Sequence, residues 1–467
     1  MREKPGFYVA LTPIVFMMVV LVVGIGILGW PASVCLLISA AFSCIIAMAK
    51  LKYTWDEIQG FIIDKISAVM APVLIVIFVG FMVATWSFAG TMPMLVYYGM
   101  LLVSPAWLYV IAFFLNAVLS YVSGASWGSV ASIGVALMGI GSGLHADLPI
   151  LAAAIVTGAY FGDKLSPLSD TTNLTSAVTK TKLYDLIKYL LWTTIPSTII
   201  SLLFFTWLGM VHTSTGTISP ESMQMLVQLK ELYKFGILPL LPMFIVLCFT
   251  FLRLPTVPAL LSSAFVAILV GWLYQGFPLA EGIRATMGGF RLTMITDSTT
   301  LLPSVKELLE QGGLNNQGGF LSFIICAMMF AGILTGTGMM DVTLQSAAAK
   351  IKSVFGAILA SGVLAVIINL LTGSDGLNKI VISELMLKKF EDLNLSPLVL
   401  ARTLEDFGTM SAPIIPWSAA GLFMATTLGV PTFSYLPYSV FCFSSMLFAL
   451  IYAFTGYRLI SFKEVKI

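Results

Sequence analysis

"GDKLSPLSDTTNL", residues 162–174, sets Asp163, Lys164 and Asp170 around a proline, four hydroxyl side chains and an amide, in a chain of 467 residues of which only 10% are charged. Hydrophobic residues make up 58% of the chain, against roughly 45–50% in soluble domains. Such a chain cannot keep its apolar surface out of water, and it reads as an integral membrane protein in contact with a lipid bilayer. The question is what a charged, proline-broken stretch does inside it.

Outward from this stretch the chain is largely uncharged. No formal charge occurs between Val9 and Ala49, between Ile66 and Leu144, or between Phe407 and Tyr457. Each run holds two or more membrane-crossing helices of about 20 residues, and the alternation of a β-barrel is absent. Spans are expected near residues 9–29, 31–49, 67–89, 106–122, 128–144, 148–161, 186–209, 235–252, 255–275, 320–340, 354–371, 412–429 and 434–456. The expected fold is an all-α polytopic membrane protein of roughly 11–13 transmembrane helices.

A polar segment at 212–234 reads as a linker between a first membrane repeat, 1–211, and a second, 235–467. "NAVLSYVSGASWG" in the first half echoes "NLLTGSDGLN" in the second, with Gly80 and Asn116 standing 36 apart and Gly332 and Asn369 standing 37 apart. Asp163 with "LSPLSD" has a looser echo in Asp406 with "GTMSAPIIPW". Arg2 and Lys4 at one end and the basic "GYRLISFKEVKI" at the other place both termini in the cytoplasm, so the halves are expected to run in opposite senses.

Several function classes are set aside by composition. The formal net charge of +2 comes without a basic run to track phosphates, so no nucleic acid is expected. Five single cysteines and two histidines, with no HExxH, give no zinc site. No serine–histidine pair suggests a hydrolase, so the chain is not read as an enzyme and no cofactor is expected. Asp297, in a polar insertion, reads as a cap or loop residue.

Backbone groups in hydrocarbon must be hydrogen-bonded, so a broken segment at membrane depth is tolerated only where protein or a water-filled cavity satisfies it. The apolar run "PILAAAIVTGAYF" before Gly162 reads as too short to cross alone. A helix ending there would aim carbonyl oxygens at a cavity, and Asp163 and Asp170 would add hard oxygen ligands for Na+. Ser166, Thr171, Thr172 and Asn173 would supply neutral oxygens. The same composition also suits a plain polar loop capping the next helix. Asn116, Ser123 and Ser126 mark a second candidate break, and Asn369, Ser374, Asp375 and Lys379 its echo, with Asp406 and Ser411 beside Pro413 and Pro416.

With "SGASWG" upstream and "SAPIIPWSAAG" downstream, "GDKLSPLSDTTNL" resembles the NhaC-type sodium/proton antiporter family, and within it looks most like the malate/lactate antiporter branch. The resemblance implies two inverted repeats with re-entrant hairpins and broken helices, and exchange of Na+ for H+ across the bacterial inner membrane. It carries over Asp163, Ser166, Asp170, Thr171 and Asn173 as site residues, with Asp375 and Asp406 less exact. An alternative is a Na+- and H+-coupled exchanger of an organic acid such as malate or lactate, or an amino acid transporter, in which Lys379 faces the cargo. A homodimer is left open.

Overall fold

The computed structural model describes residues 5–212, 220–252, 254–296, 301–348 and 353–461. Asp297, Arg2, Lys4, residues 213–219 of the expected linker and the last six residues lie outside them. The fold is all-α. Among the described residues seven helices are long and apolar enough to cross a membrane, or nine when two bent pairs each count as one span. Four shorter apolar helices, Thr91–Leu102, Leu238–Phe251, Leu321–Gly336 and Val440–Thr455, complete the apolar set.

Several expected spans change shape in ways that hydropathy cannot register. The long uncharged run after Ile66 also contains Thr91–Leu102, set off from Met70–Ala89 by Gly90 at φ 82°. Residues 128–144 are not one regular helix: Ser126–Ser129 leads into a π-helical turn, Val130–Gly134, before Val135–Gly143. Asp375–Asp392, which carries too many charges to read as a span, forms an 18-residue helix. Within the expected linker, Pro220–Leu232 is a helix whose Met225, Leu226 and Leu229 are buried in the core.

One expectation is overturned outright. The run before Gly162 is not too short, because its helix continues through Gly162, Asp163 and Lys164 to give the 18 residues Leu148–Leu165. Both charged side chains are buried, and the partners that make this tolerable come from distant parts of the chain. Beyond Ser418 the chain forms Ala419–Leu428 and then bends by 89° into Thr432–Tyr438, the geometry of a broken span or a re-entrant loop. Pro413 and Pro416 stand before it, where Leu404–Thr409 is π-helical and Ile415 is extended.

Leu148–Leu165 packs against Leu108–Ser123 through a small-residue stripe. A Cβ on Gly158 would lie 2.2 Å from the Phe113 carbonyl oxygen, and one on Gly162 would lie 2.2 Å from that of Ala117. Small residues four apart let two membrane helices approach backbone to backbone, where dispersion replaces the missing hydrophobic drive. Gly162→Val should therefore force these helices apart at the position that orients Asp163. The expected result is loss of monodisperse protein on size exclusion in detergent, or a clearly lowered Tm, whereas Val118→Ala on the exposed face of Leu108–Ser123 should leave both unchanged.

Candidate ion-binding site

Each half contains the same local device. Leu108–Ser123 stops at Gly124, φ 71°, Ala125 is extended and helix resumes at Ser126. Val354–Thr372 stops at Gly373, φ 66°, Ser374 is extended and helix resumes at Asp375. The first backbone N–H past each glycine donates to the hydroxyl just before it, Ala125 to Ser123 at 3.3 Å and Ser374 to Thr372 at 3.2 Å. Gly124 N–H donates to the Ser120 carbonyl and Gly373 N–H to that of Asn369. "SGAS" and "TGSD" are thus the matching segments, Ser126 answers to Asp375, and Ser120 rather than Asn116 answers to Asn369.

The two breaks meet around a cavity of about 440 Å³. Its charged lining among the described residues is Asp163, Asp170 and Asp375, with no lysine, arginine or histidine. Asp163 is buried and accepts from Ser126 Oγ at 3.0 Å, while its Oδ1 has no protein hydrogen-bond partner. Asp170 is exposed at the start of Asp170–Val178, where Ser169 rather than Asp170 is the cap. No three His, Cys, Asp or Glu side chains converge among the described residues. A cation here would be held by one or two carboxylates with hydroxyl and carbonyl oxygens, a donor set suited to a hard monovalent ion.

Behind Asp375 runs a buried polar network. Lys379 Nζ lies 2.6 Å from Asp375 Oδ2 and 3.6 Å from Glu405 Oε1. Glu405 also accepts from Thr175 at 2.5 Å and from Thr409 at 2.8 Å. Asn378 donates to Asn369 Oδ1 at 2.7 Å and Asp375 Oδ1 at 3.1 Å, and Asn369 donates to the Gly408 carbonyl at 2.7 Å and Ser411 Oγ at 2.9 Å. Lys379 is therefore already matched by two acids. Glu405, which shares a helix with Asp406, is the member of that pair that joins this network.

The remaining candidates hold the backbone. Ser166 Oγ donates to the Tyr121 carbonyl at 2.7 Å, and Thr172 Oγ1 to that of Lys164 at 3.3 Å. Asn173 donates to the carbonyls of Pro167 and Ser169. Ser374 caps Asp375–Asp392, and Ser123 and Asn116 each bond a carbonyl one turn back. Thr171, Ser126 and Ser374 line the cavity, whereas Ser166, Thr172, Asn173, Asn116, Asn369, Lys379, Asp406 and Ser411 do not.

A second charged cluster lies on the other side of the same helices. Lys164 Nζ meets Asp406 Oδ1 at 2.5 Å and Ser445 Oγ at 2.7 Å, and Thr193 donates to the same carboxylate oxygen at 2.9 Å. Arg402 stacks 4.6 Å from the Tyr189 ring centroid, with Nε 3.9 Å from Asp406 Oδ2. All of these charges are fully buried. Two cations share one anion, so Asp406→Asn would leave both uncompensated and should cost about 3–5 kcal/mol. Lys164→Met leaves the Arg402–Asp406 pair balanced, and Tm in detergent should fall less for it than for Asp406→Asn.

The Na+/H+ antiporter family profile matches residues 158–457, which take in Asp163 and the second break at Gly373 and begin after the first break at Gly124. The chain is 38% identical to an uncharacterized Na+/H+ antiporter of Haemophilus influenzae, over 99% of this chain and 98% of that one. It is 36% identical to the arginine/ornithine antiporter ArcD of Halobacterium salinarum, over 98% and 94%. It is 30% identical to the malate-2H+/Na+-lactate antiporter of Bacillus subtilis, over 87% and 86%. A profile spanning most of the chain and relatives this similar over nearly their whole length show that the chain belongs to the Na+/H+ antiporter family.

Proposed function

We propose that this chain is a secondary active antiporter that exchanges Na+ for H+ across the bacterial inner membrane by alternating access, driven by the ion gradients with no resident cofactor. The observation that carries the reading is the cavity between the two breaks, whose charged lining is three carboxylates and no base. Asp163 is the principal ion ligand. It is buried beside an interrupted helix, and among the described residues its Oδ1 has no hydrogen-bond partner within 3.5 Å. A proton on that oxygen removes the charge that holds Na+, so the two ions compete for one place. If only loaded forms reorient, each ion crosses in exchange for the other.

A second reading is favoured by the size of the cavity. About 440 Å³ is far more than a bare Na+ fills and falls in the range of small-molecule sites. Its acidic lining suits a cationic amino acid, the cargo named for the Halobacterium relative. Malate or lactate would meet like charge there, and would enter only with co-bound protons or Na+ to cover it.

Reconstituted protein should alkalinise the lumen of proteoliposomes when Na+ is added outside, read by a trapped pH dye. With one competing proton, apparent KM for Na+ should rise about tenfold per unit fall in pH once the carboxyl is protonated. Asp163→Asn should abolish the response in folded protein, whereas Asp170→Asn, at an exposed position, should weaken Na+ affinity and keep the pH dependence. Arginine that exchanges for itself while Na+ elicits no proton movement would replace the first reading with the second.

A further inference from the structure

A larger cavity, about 830 Å³, lies apart from the candidate ion site. Four elements pass from one cavity to the other. Met70–Ala89 lines the ion-site cavity with Ile75 and the larger one with Gly80, and Ala419–Leu428 lines them with Ala420 and Thr426. Residues 126–143 do so with Trp127 and Ser142, and Leu148–Leu165 with Tyr160 and Leu148. Twelve residues of straight helix separate the last two by about 18 Å. The cavities therefore lie end to end along the membrane-crossing direction.

Between them two aromatic rings close the line. Trp127, at the edge of the ion-site cavity, stacks on Phe423 with centroids 4.5 Å apart and planes 9° apart. Phe423 is fully buried and stands on its helix between Ala420 and Thr426. Just past Trp127 the backbone is the π-helical turn Val130–Gly134, before the first residues that line the larger cavity. Such turns are frequent at functional sites, and a shift of this one to regular helix would rotate Trp127 relative to Phe423.

Resting on the transport reading above, we infer that the two cavities are the two ends of one ion pathway, closed in this conformation by the Trp127–Phe423 stack. The ion-site end faces the side that carries Lys180, Lys182 and Lys188, and the larger cavity serves the opposite side. Trp127 and Phe423 act as gating residues and do not ligate the ion.

Sidedness of labelling tests this without a transport assay. In a variant with the five native cysteines replaced, Ser142→Cys and Ala419→Cys report on the larger and smaller cavities. A membrane-impermeant maleimide should label each from one face of oriented vesicles only, and the two from opposite faces. Adding Trp127→Ala, or Phe423→Ala as the same break made from the other ring, should raise wrong-side labelling at least fivefold. Labelling of both cysteines from one face, or unchanged sidedness in a folded gate variant, would overturn the proposal. Absence of Na+-driven proton movement in the wild type would count against the transport reading alone, since labelling does not depend on it.

Discussion

The rest of this molecule depends on satisfying backbone groups where helices stop inside a membrane. An unpaired N–H or C=O in hydrocarbon costs several kcal/mol, about as much as a good share of a domain's net stability. At both breaks short hydroxyl side chains meet that demand locally, through Ser123 and Thr372, and the crossing segments do the rest. Ala419 N–H donates to the Gly373 carbonyl, and Ser166 Oγ reaches back to Tyr121. A Cβ on Gly124 would lie 2.5 Å from the Leu168 carbonyl carbon. The first break is thus clamped against the turn that follows Asp163, and the acid and the opening are held together by the same contacts.

That clamp also sorts charge. Neighbouring residues on a helix point about 100° apart, so adjacent charged side chains can be sent to different partners. Asp163 faces the breaks and Lys164 faces Asp406. On the partner element Glu405 joins Lys379 and Asp406 joins Lys164. Each helix therefore presents one charge to the cavity-side network and one to a cluster behind it. The rear cluster ties residues 242 apart in sequence and spans the two halves of the chain, which holds the Asp163 helix against the Asp406 element.

Much of the fold was legible because apolar runs and glycine–serine interruptions act locally. The breaks at Gly124 and Gly373 and the disruption around Pro413 and Pro416 follow from residue types within a few positions. The sequence misled where partners are remote. Lys164 stood in plain view beside Asp163, yet nothing nearby announces Asp406, Thr193 or Ser445. Asp375–Asp392 hid as a helix because its charges depress hydropathy, although Lys379 is buried and matched. Aligning the halves on Asn116 and Asn369 set the register one turn off. The left-handed glycines fix the correspondence, because only they are required by the backbone.

The register matters for how an exchanger avoids leaking. Where the first half has Ser126 the second has Asp375, so the two breaks are alike in backbone and unlike in charge. Counted as ionised, Asp163 and the two charged clusters hold four acids, the buried Asp163, Glu405 and Asp406 and the half-buried Asp375, against three bases, Lys164, Lys379 and Arg402. The unloaded assembly holds one negative charge in excess in a medium where an unmatched charge is costly to move. One monovalent cation cancels it. Na+ and H+ are equivalent in this respect, and either would make reorientation inexpensive, whereas the empty form would stay where it is. Strict exchange would then need no separate lock, because the electrostatic cost of crossing unloaded does that work.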